Sequence, residues 1–189
     1  QNNVANYPKF YSKSSEKLAR EQKRLSNMKK GSSNYNKQKI IVAKRYRKVS
    51  NQRYDFLHKL STKYAETFDI VSVESLDMTD ISKSYNLGQS TMDNGYGMFQ
   101  FMLKYKMEER GKSFIQINKY YPSSKKCNCC GFIKTDLSIN EREWTCPECG
   151  EHHSRDLNAS INIKKEGEKL FFYESNNNPG AQGLSSVFA

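Results

Sequence analysis

The sequence predicts an α/β protein that carries a small cysteine-rich insert. Three observations lead there. Two short β-rich runs, "DIVSVESL" (69–76) and "SFIQINKYY" (113–121), flank a helical stretch. Two long helical patterns precede them within the first 68 residues. All five cysteines fall in "CNCCGFIKTDLSINEREWTCPEC", from Cys127 to Cys149.

The first helix is expected from about Ser14 to Lys29, with Leu18, Leu25 and Met28 at helical spacing among Lys and Arg. "GSSNYN" (31–36) breaks it. A longer helix, about Lys37 to Phe68, follows. Its apolar stripe is Val42, Tyr46, Val49, Phe56, Leu60 and Tyr64, while Lys44, Arg45, Arg47, Lys48 and Arg53 lie largely off it. So short a break between two helices predicts an antiparallel hairpin over about 12–68. Residues 1–60 hold 16 Lys or Arg against three acids, whereas the rest of the chain is close to neutral. That imbalance exceeds what solubility needs and points to a polyanion, with the five basic residues above as the candidate nucleic-acid contacts. The competing reading is a solvated helical surface.

"DIVSVESL" is short and β-branched, and reads as a buried strand ending near Glu74. "SKSYNLGQSTMDNGYG" reads as a loop with glycine hinges at Gly88, Gly95 and Gly97. A helix from about Met98 to Arg110 closes at Gly111, where a glycine just past a helix end is expected. The second strand follows, then the cysteines, then a short helix from about Arg155 to Lys165. After Glu168 the chain turns polar, and 171–189 reads as a mobile tail. The boundaries are therefore 1–126 and 151–170 for the two parts of the main domain, with the insert at 127–150. No run approaches the roughly 18 apolar residues of a membrane span. No secretion signal is visible, so a cytoplasmic protein is expected. The chain starts without Met, which is read as a fragment, a processed product or only the ordered part of something longer.

Cys127, Cys130, Cys146 and Cys149 form two C-x-x-C pairs at a spacing suited to a four-thiolate zinc ribbon. Each pair makes a tight knuckle, and two knuckles supply the tetrahedron that Zn²⁺ accepts. Disulfides fit poorly in a reducing compartment, and a redox pair would not need two copies. Four thiolates leave no open position, so the zinc is structural. Cys129, between two ligands, is expected to point away. His152 and His153 are read as surface residues, and Trp144 as the packing anchor of the ribbon.

Two acids have suggestive settings. Glu74 lies at a strand end, and Asp156 opens the helix after the ribbon in "HHSRDLNASINI". Each has a plain structural alternative, a solvated strand end for Glu74 and a first-turn or capping acid for Asp156. Together they suit phosphodiester hydrolysis at a pair of divalent ions, Mg²⁺ or Mn²⁺. "PSSK" (122–125) ends in Lys125, a candidate phosphate contact or part of a turn.

The ordered segments "PKFYSKSSEKLAREQKRLS", "NQRYDFLHKLSTKYAETFDIVSVESL", "YYPSSKKCNCCG" and "REWTCPECGEHHSRDLNASINI" resemble the C-terminal half of the TnpB (OrfB) family, transposon-encoded RNA-guided DNA endonucleases related to the type V CRISPR effectors. The resemblance runs from about Pro8 to Ile163. It implies an RNase H-like (RuvC-like) nuclease fold with an inserted helical hairpin and zinc ribbon. It also implies an Asp, Glu, Asp trio holding divalent metal. Glu74 matches the glutamate and Asp156 the final aspartate, and the four ribbon cysteines match one for one. The loop Asp80–Gly97 would be a lid over the cleft. Nothing before "NNVANYPKF" matches the first catalytic aspartate, and neither Asp69 nor Asp77 is supported as its substitute. The implied partners are guide RNA, target DNA, and an upstream half of the same protein or a split partner. The leading expectation is an RNA-guided endonuclease. A nuclease-inactive RNA-guided DNA-binding regulator or a zinc-ribbon accessory protein is the alternative. A structural basic protein would explain the hairpin but neither the ribbon nor the acids.

Overall fold

A computed structural model describes residues 10–75, 95–138 and 140–177. Its elements are α1 (Phe10–Ser26), α2 (Ser33–Thr67), β1 (Ile70–Glu74), α3 (Tyr96–Glu108), β2 (Ser113–Ile117), β3 (Glu143–Thr145), β4 (His152–Ser154) and α4 (Arg155–Asn177). Two compact units emerge, one drawn from residues within 1–64 and 77–106, the other from 65–76 and 107–189.

In the first unit, α1 begins and ends earlier than its apolar pattern suggested, so Met28 lies past its end. Ser32 then caps α2: its hydroxyl accepts the Tyr35 amide at 3.1 Å, satisfying a donor that a helix start leaves orphaned. Polar bonds join the two helices. The Gln38 side-chain amide donates to the Glu21 carboxylate at 2.7 Å, and the Gln22 amide to the Tyr46 hydroxyl at 2.7 Å.

The buried stripe of α2 differs in part from the expected one. Val42 and Val49 are buried, but Tyr46 is exposed, and further along Leu57 and Ser61 take the inward positions. Phe56, Leu60 and Tyr64 flank that line, half-buried. For Ser61 the reason is a cation. Lys106 of α3 is buried, and its ammonium donates to the His58 carbonyl (2.6 Å), the Ser61 hydroxyl (2.8 Å) and the Thr62 hydroxyl (2.7 Å). Three donors meet three acceptors, which makes burial of the charge tolerable and turns a polar residue inward. Tyr64 and Phe99 meet edge to face, with centroids 5.9 Å apart.

In the second unit, β1 and β2 pair in parallel, Ile70 opposite Ser113 through Glu74 opposite Ile117. Parallel strands need a long crossover, and α3 lies within it. Ile115 and Ile117 are buried while Gln116 between them is exposed, so β2 keeps the period of two of a strand with one covered face. Helix α4 covers β1 and β2.

That helix is longer than expected. It runs unbroken to Asn177, so residues 171–177, read as the start of a mobile tail, are helical. Its interior includes Gly167, although a glycine there costs helix stability. Here it is a contact: a Cβ built on Gly167 would stand 2.5 Å from the Cβ of Ser72 in β1. Only a residue without a side chain lets α4 approach the strand so closely. The insert is also wider than 127–150, since β3 pairs antiparallel with β4, Trp144 opposite His153. Helix α4 starts at the residue after β4, with no linker. The proposed lid (80–97) lies outside the described residues up to position 94, as do Asp77, Gly88 and the tail beyond 177.

Candidate functional site

The two knuckles are built alike. Cys127 N donates to Phe132 O at 2.7 Å, and Cys146 N to Glu151 O at 2.8 Å; Gly131 N returns to Cys127 O at 3.0 Å, and Gly150 N to Cys146 O at 2.9 Å. Both glycines hold positive φ, 85° and 74°, the left-handed geometry that ends each loop. The sulfurs of Cys127, Cys130, Cys146 and Cys149 all lie within 4.8 Å of one another. The Cys127–Cys149 separation is 3.7 Å and Cys130–Cys146 is 3.6 Å. A tetrahedron with metal–sulfur bonds of about 2.3 Å has edges of about 3.8 Å, so the set is the right size for one metal ion. These distances are far from a disulfide, and the cysteines are free thiols. Cys129 is exposed and outside the group.

The electrostatics also call for a cation. Burial resists ionisation of Cys127, but the amides of Cys130 and Cys129, with His153, outweigh it and bring the thiol down to about 6. For Cys149 the Glu151 amide favours the thiolate, yet burial and the neighbouring sulfurs prevail and push it up to about 12. Cys130 is raised as well, its favourable Phe132 amide being outweighed in the same way. One thiolate forms readily and then opposes the others, a conflict that a bound cation removes.

Beneath the knuckles, Cys127, Leu137, Trp144 and Cys146 form a buried cluster with Phe132 against it. Trp144 thus anchors the ribbon. His153, read as a surface residue, is buried, whereas His152 is largely exposed. The β3–β4 pairing decides this, because alternate strand residues face opposite sides and His153 sits opposite Trp144. Their rings lie 4.7 Å apart, and His153 Nε2 is 3.0 Å from Cys127 Sγ.

Glu74 ends β1, half-buried, and burial raises its carboxyl above the ordinary value. Asp156 sits in the first turn of α4, and Arg142 lies 4.0 Å from its carboxylate. Among the described residues, the four cysteines are the one gathering of three or more metal-binding side chains. Lys44, Arg45, Arg47 and Lys48 are exposed on α2. Arg53 is partly buried, and Lys125 donates its ammonium to Thr135 O at 2.8 Å, inside the ribbon.

Sequence reasoning also passed over Asn128, Asn158 and Asn162. The two helix asparagines are buried while the neighbouring Leu157 is 43% exposed. Their i, i+4 spacing puts them on one face of α4, which was the available signal.

The architecture and the cysteine set define a class, mixed α/β proteins with a four-cysteine module. Residues 1–85 match the family model described as a probable transposase (OrfB of IS605), and residues 96–163 that of the Cas12f1-like TNB domain. The chain belongs to the TnpB (OrfB) family. It is 36% identical over 160 residues to a protein of Streptomyces pristinaespiralis provisionally named an RNA-guided DNA endonuclease, covering 85% of this chain and 40% of that protein. It is 28% identical over 117 residues to the CRISPR-associated endodeoxyribonuclease Cas12f1 of Sulfoacidibacillus thermotolerans, covering 61% of this chain and 28% of that one. The fold is similar to a chain in the cryo-EM structure of a Cas12f1–sgRNA–target DNA complex, with a TM-score of 0.59 at 16% identity, covering 86% of this chain and 44% of that chain. The chain spans about two fifths of the length of the first curated relatives it matches.

Proposed function

We propose that this chain is the catalytic part of an RNA-guided DNA endonuclease. It would hydrolyse phosphodiesters in an RNase H-like (RuvC-like) domain, the α1–α2 hairpin and the ribbon being insertions in it. Guide RNA and target DNA are its partners, and an upstream segment of the same protein, or a split partner, completes the assembly at the bacterial nucleoid. Family membership gives the class of activity, and one local observation carries it to the site. Glu74 is an acid held half-buried at a strand end, its carboxyl raised by desolvation. A carboxylate kept at such a cost suits a bound cation.

Glu74 and Asp156 would hold Mg²⁺ or Mn²⁺. When bound, such ions activate water and stabilise the leaving oxygen of a phosphodiester. The chain's own part is to present two carboxylates from elements fixed to each other: α4 meets β1 where Gly167 lies on Ser72. Zinc would occupy the four cysteines as a structural ion, its tetrahedron closed to substrate. Lys44, Arg45, Arg47 and Lys48 form a free basic face for nucleic-acid phosphates. Arg53 and Lys125 are weaker candidates, because burial and the Thr135 bond already engage them.

A second reading, an RNA-guided DNA binder without nuclease activity, is favoured by the exposed basic face of α2, which would hold nucleic acid whether or not the acids act. The test is metal-dependent cleavage of a guide-matched plasmid by this chain combined with the upstream half of a family member and its guide RNA. Cleavage lost in both Glu74→Ala and Asp156→Ala, with binding retained, supports the nuclease. Guide-dependent binding without any cleavage supports the second reading.

A further inference from the structure

Asp156 stands on the surface with little to hold it. Its side chain is 83% exposed, and that of Arg142, 4.0 Å away, is 75% exposed. A solvated pair at that distance fixes no geometry. Whatever sets the position of this carboxylate acts through the backbone of α4.

The first two turns of that helix are bolted from beneath. Asn158 donates its side-chain amide to Lys126 O (2.8 Å) and Ser124 O (3.5 Å), and its oxygen accepts from both Asn128 N (3.0 Å) and Asn128 Nδ2 (2.9 Å). Both amide protons and both lone pairs of a buried side chain are thereby used. One turn on, Asn162 donates to Lys126 O (2.6 Å) and Ser123 O (2.9 Å). All of these partners belong to the stretch that forms the first knuckle. Asn128 also reaches His153 Nδ1 at 3.4 Å. With Asn128 Nδ2 as the donor to Nδ1, a neutral imidazole would carry its proton on Nε2, which lies 3.0 Å from Cys127 Sγ. The chain of contacts runs from a cysteine sulfur to the helix that carries Asp156.

We propose that Asn158 and Asn162, with Asn128 as the link to His153, are positioning residues. They lock the start of α4 to the first knuckle, so that the loaded cysteine module sets where Asp156 stands. An apolar face would bury the helix equally well but would let it slide or rotate. Directional bonds to fixed carbonyls do not. The inference rests on the reading of Asp156 as a ligand of the catalytic ion, and it makes the module a strut for that ion's site as well as a fold of its own.

The test compares this chain with its Asn158→Ala/Asn162→Ala variant. The variant is expected to keep one zinc per chain, since all four thiolates remain. Amide exchange over 155–162 should accelerate at least about tenfold, as a local opening. In the reconstituted cleavage assay, the Mn²⁺ concentration for half-maximal rate should rise about tenfold or more, with the rate recovering at saturating Mn²⁺. The milder Asn128→Ala variant leaves the bonds from Asn158 and Asn162 to the knuckle carbonyls in place and should move both readouts the same way by less. Unchanged exchange and Mn²⁺ demand in the double variant would overturn the proposal. So would loss of zinc, which would make the asparagines supports of the cysteine site alone. An Asp156→Asn protein that cuts normally would instead refute the carboxylate assignment, while the exchange measurement would still decide whether the asparagines lock the helix.

Discussion

Glu74 and Asp156 are two acids in opposite surroundings. Glu74 is half-buried, and desolvation raises its carboxyl above the ordinary value of 4.5. The folded state therefore holds this proton more tightly than the unfolded chain does. Stability contributed by the protonated form is complete below the ordinary value and is lost as pH rises through the raised one. Without divalent metal, Glu74→Gln should thus raise Tm at pH 7 and leave it nearly unchanged at about pH 3, where both side chains are neutral. Calorimetry at the two pH values decides it: an equal gain at both would mean that charge burial is not the cause. Strand pattern made Glu74 legible as a strand-end acid, because that is a local property. Its burial was not legible, since the strand and helix packed on β1 come from residues 113 onward.

At the scale of elements, α4 and β1 meet closely at Gly167 and Ser72. A methyl at position 167 has nowhere to go except into Ser72. Gly167→Ala is expected to destabilise by about 1–3 kcal/mol, despite the better helix propensity of alanine, because overpacking outweighs it. Ser72→Gly in the same chain should restore part of that loss. Urea unfolding of the two single variants and the double variant measures the coupling. If Gly167→Ala proves stabilising, helix and strand are further apart than described here. The same element shows where pattern reading failed. Leu157 faces out and Asn158 in, and α4 continues past the end near Lys165 that its pattern suggested. Hydropathy finds faces that pack against hydrocarbon, and this face packs against backbone carbonyls.

For the molecule as a whole, the cysteine module has five free thiols, four of them gathered at one point, a five-residue apolar cluster and two three-residue strands. That is too little to order the segment unaided, and its like-charged sulfurs oppose one another once ionised. With zinc in the four-cysteine site as proposed, chelation at neutral pH should melt the module and expose Trp144, seen as a red shift in its fluorescence. Because Trp144 is the one tryptophan in the chain, the signal reports on the module alone. Cys127→Ser should give the same spectrum without chelator. A native spectrum in both would mean that the module folds without metal. No described helix is long and apolar enough to cross a membrane.

The sequence by itself determined the parts whose physics is local. Two long basic helices, two short β-branched strands and a cysteine spacing that fits one tetrahedral ion follow from periodicity, turn residues and ligand chemistry within a few residues of each site. The order of these parts was enough to carry the family. Only the tertiary structure decided what depends on partners remote in the chain. It buried Lys106 among three oxygens of α2, and turned His153 toward Cys127. It also set Gly167 on Ser72, and made buried anchors of two asparagines. In each case a polar group or a missing side chain is accommodated by atoms tens of residues away, and no local pattern of hydropathy records that exchange.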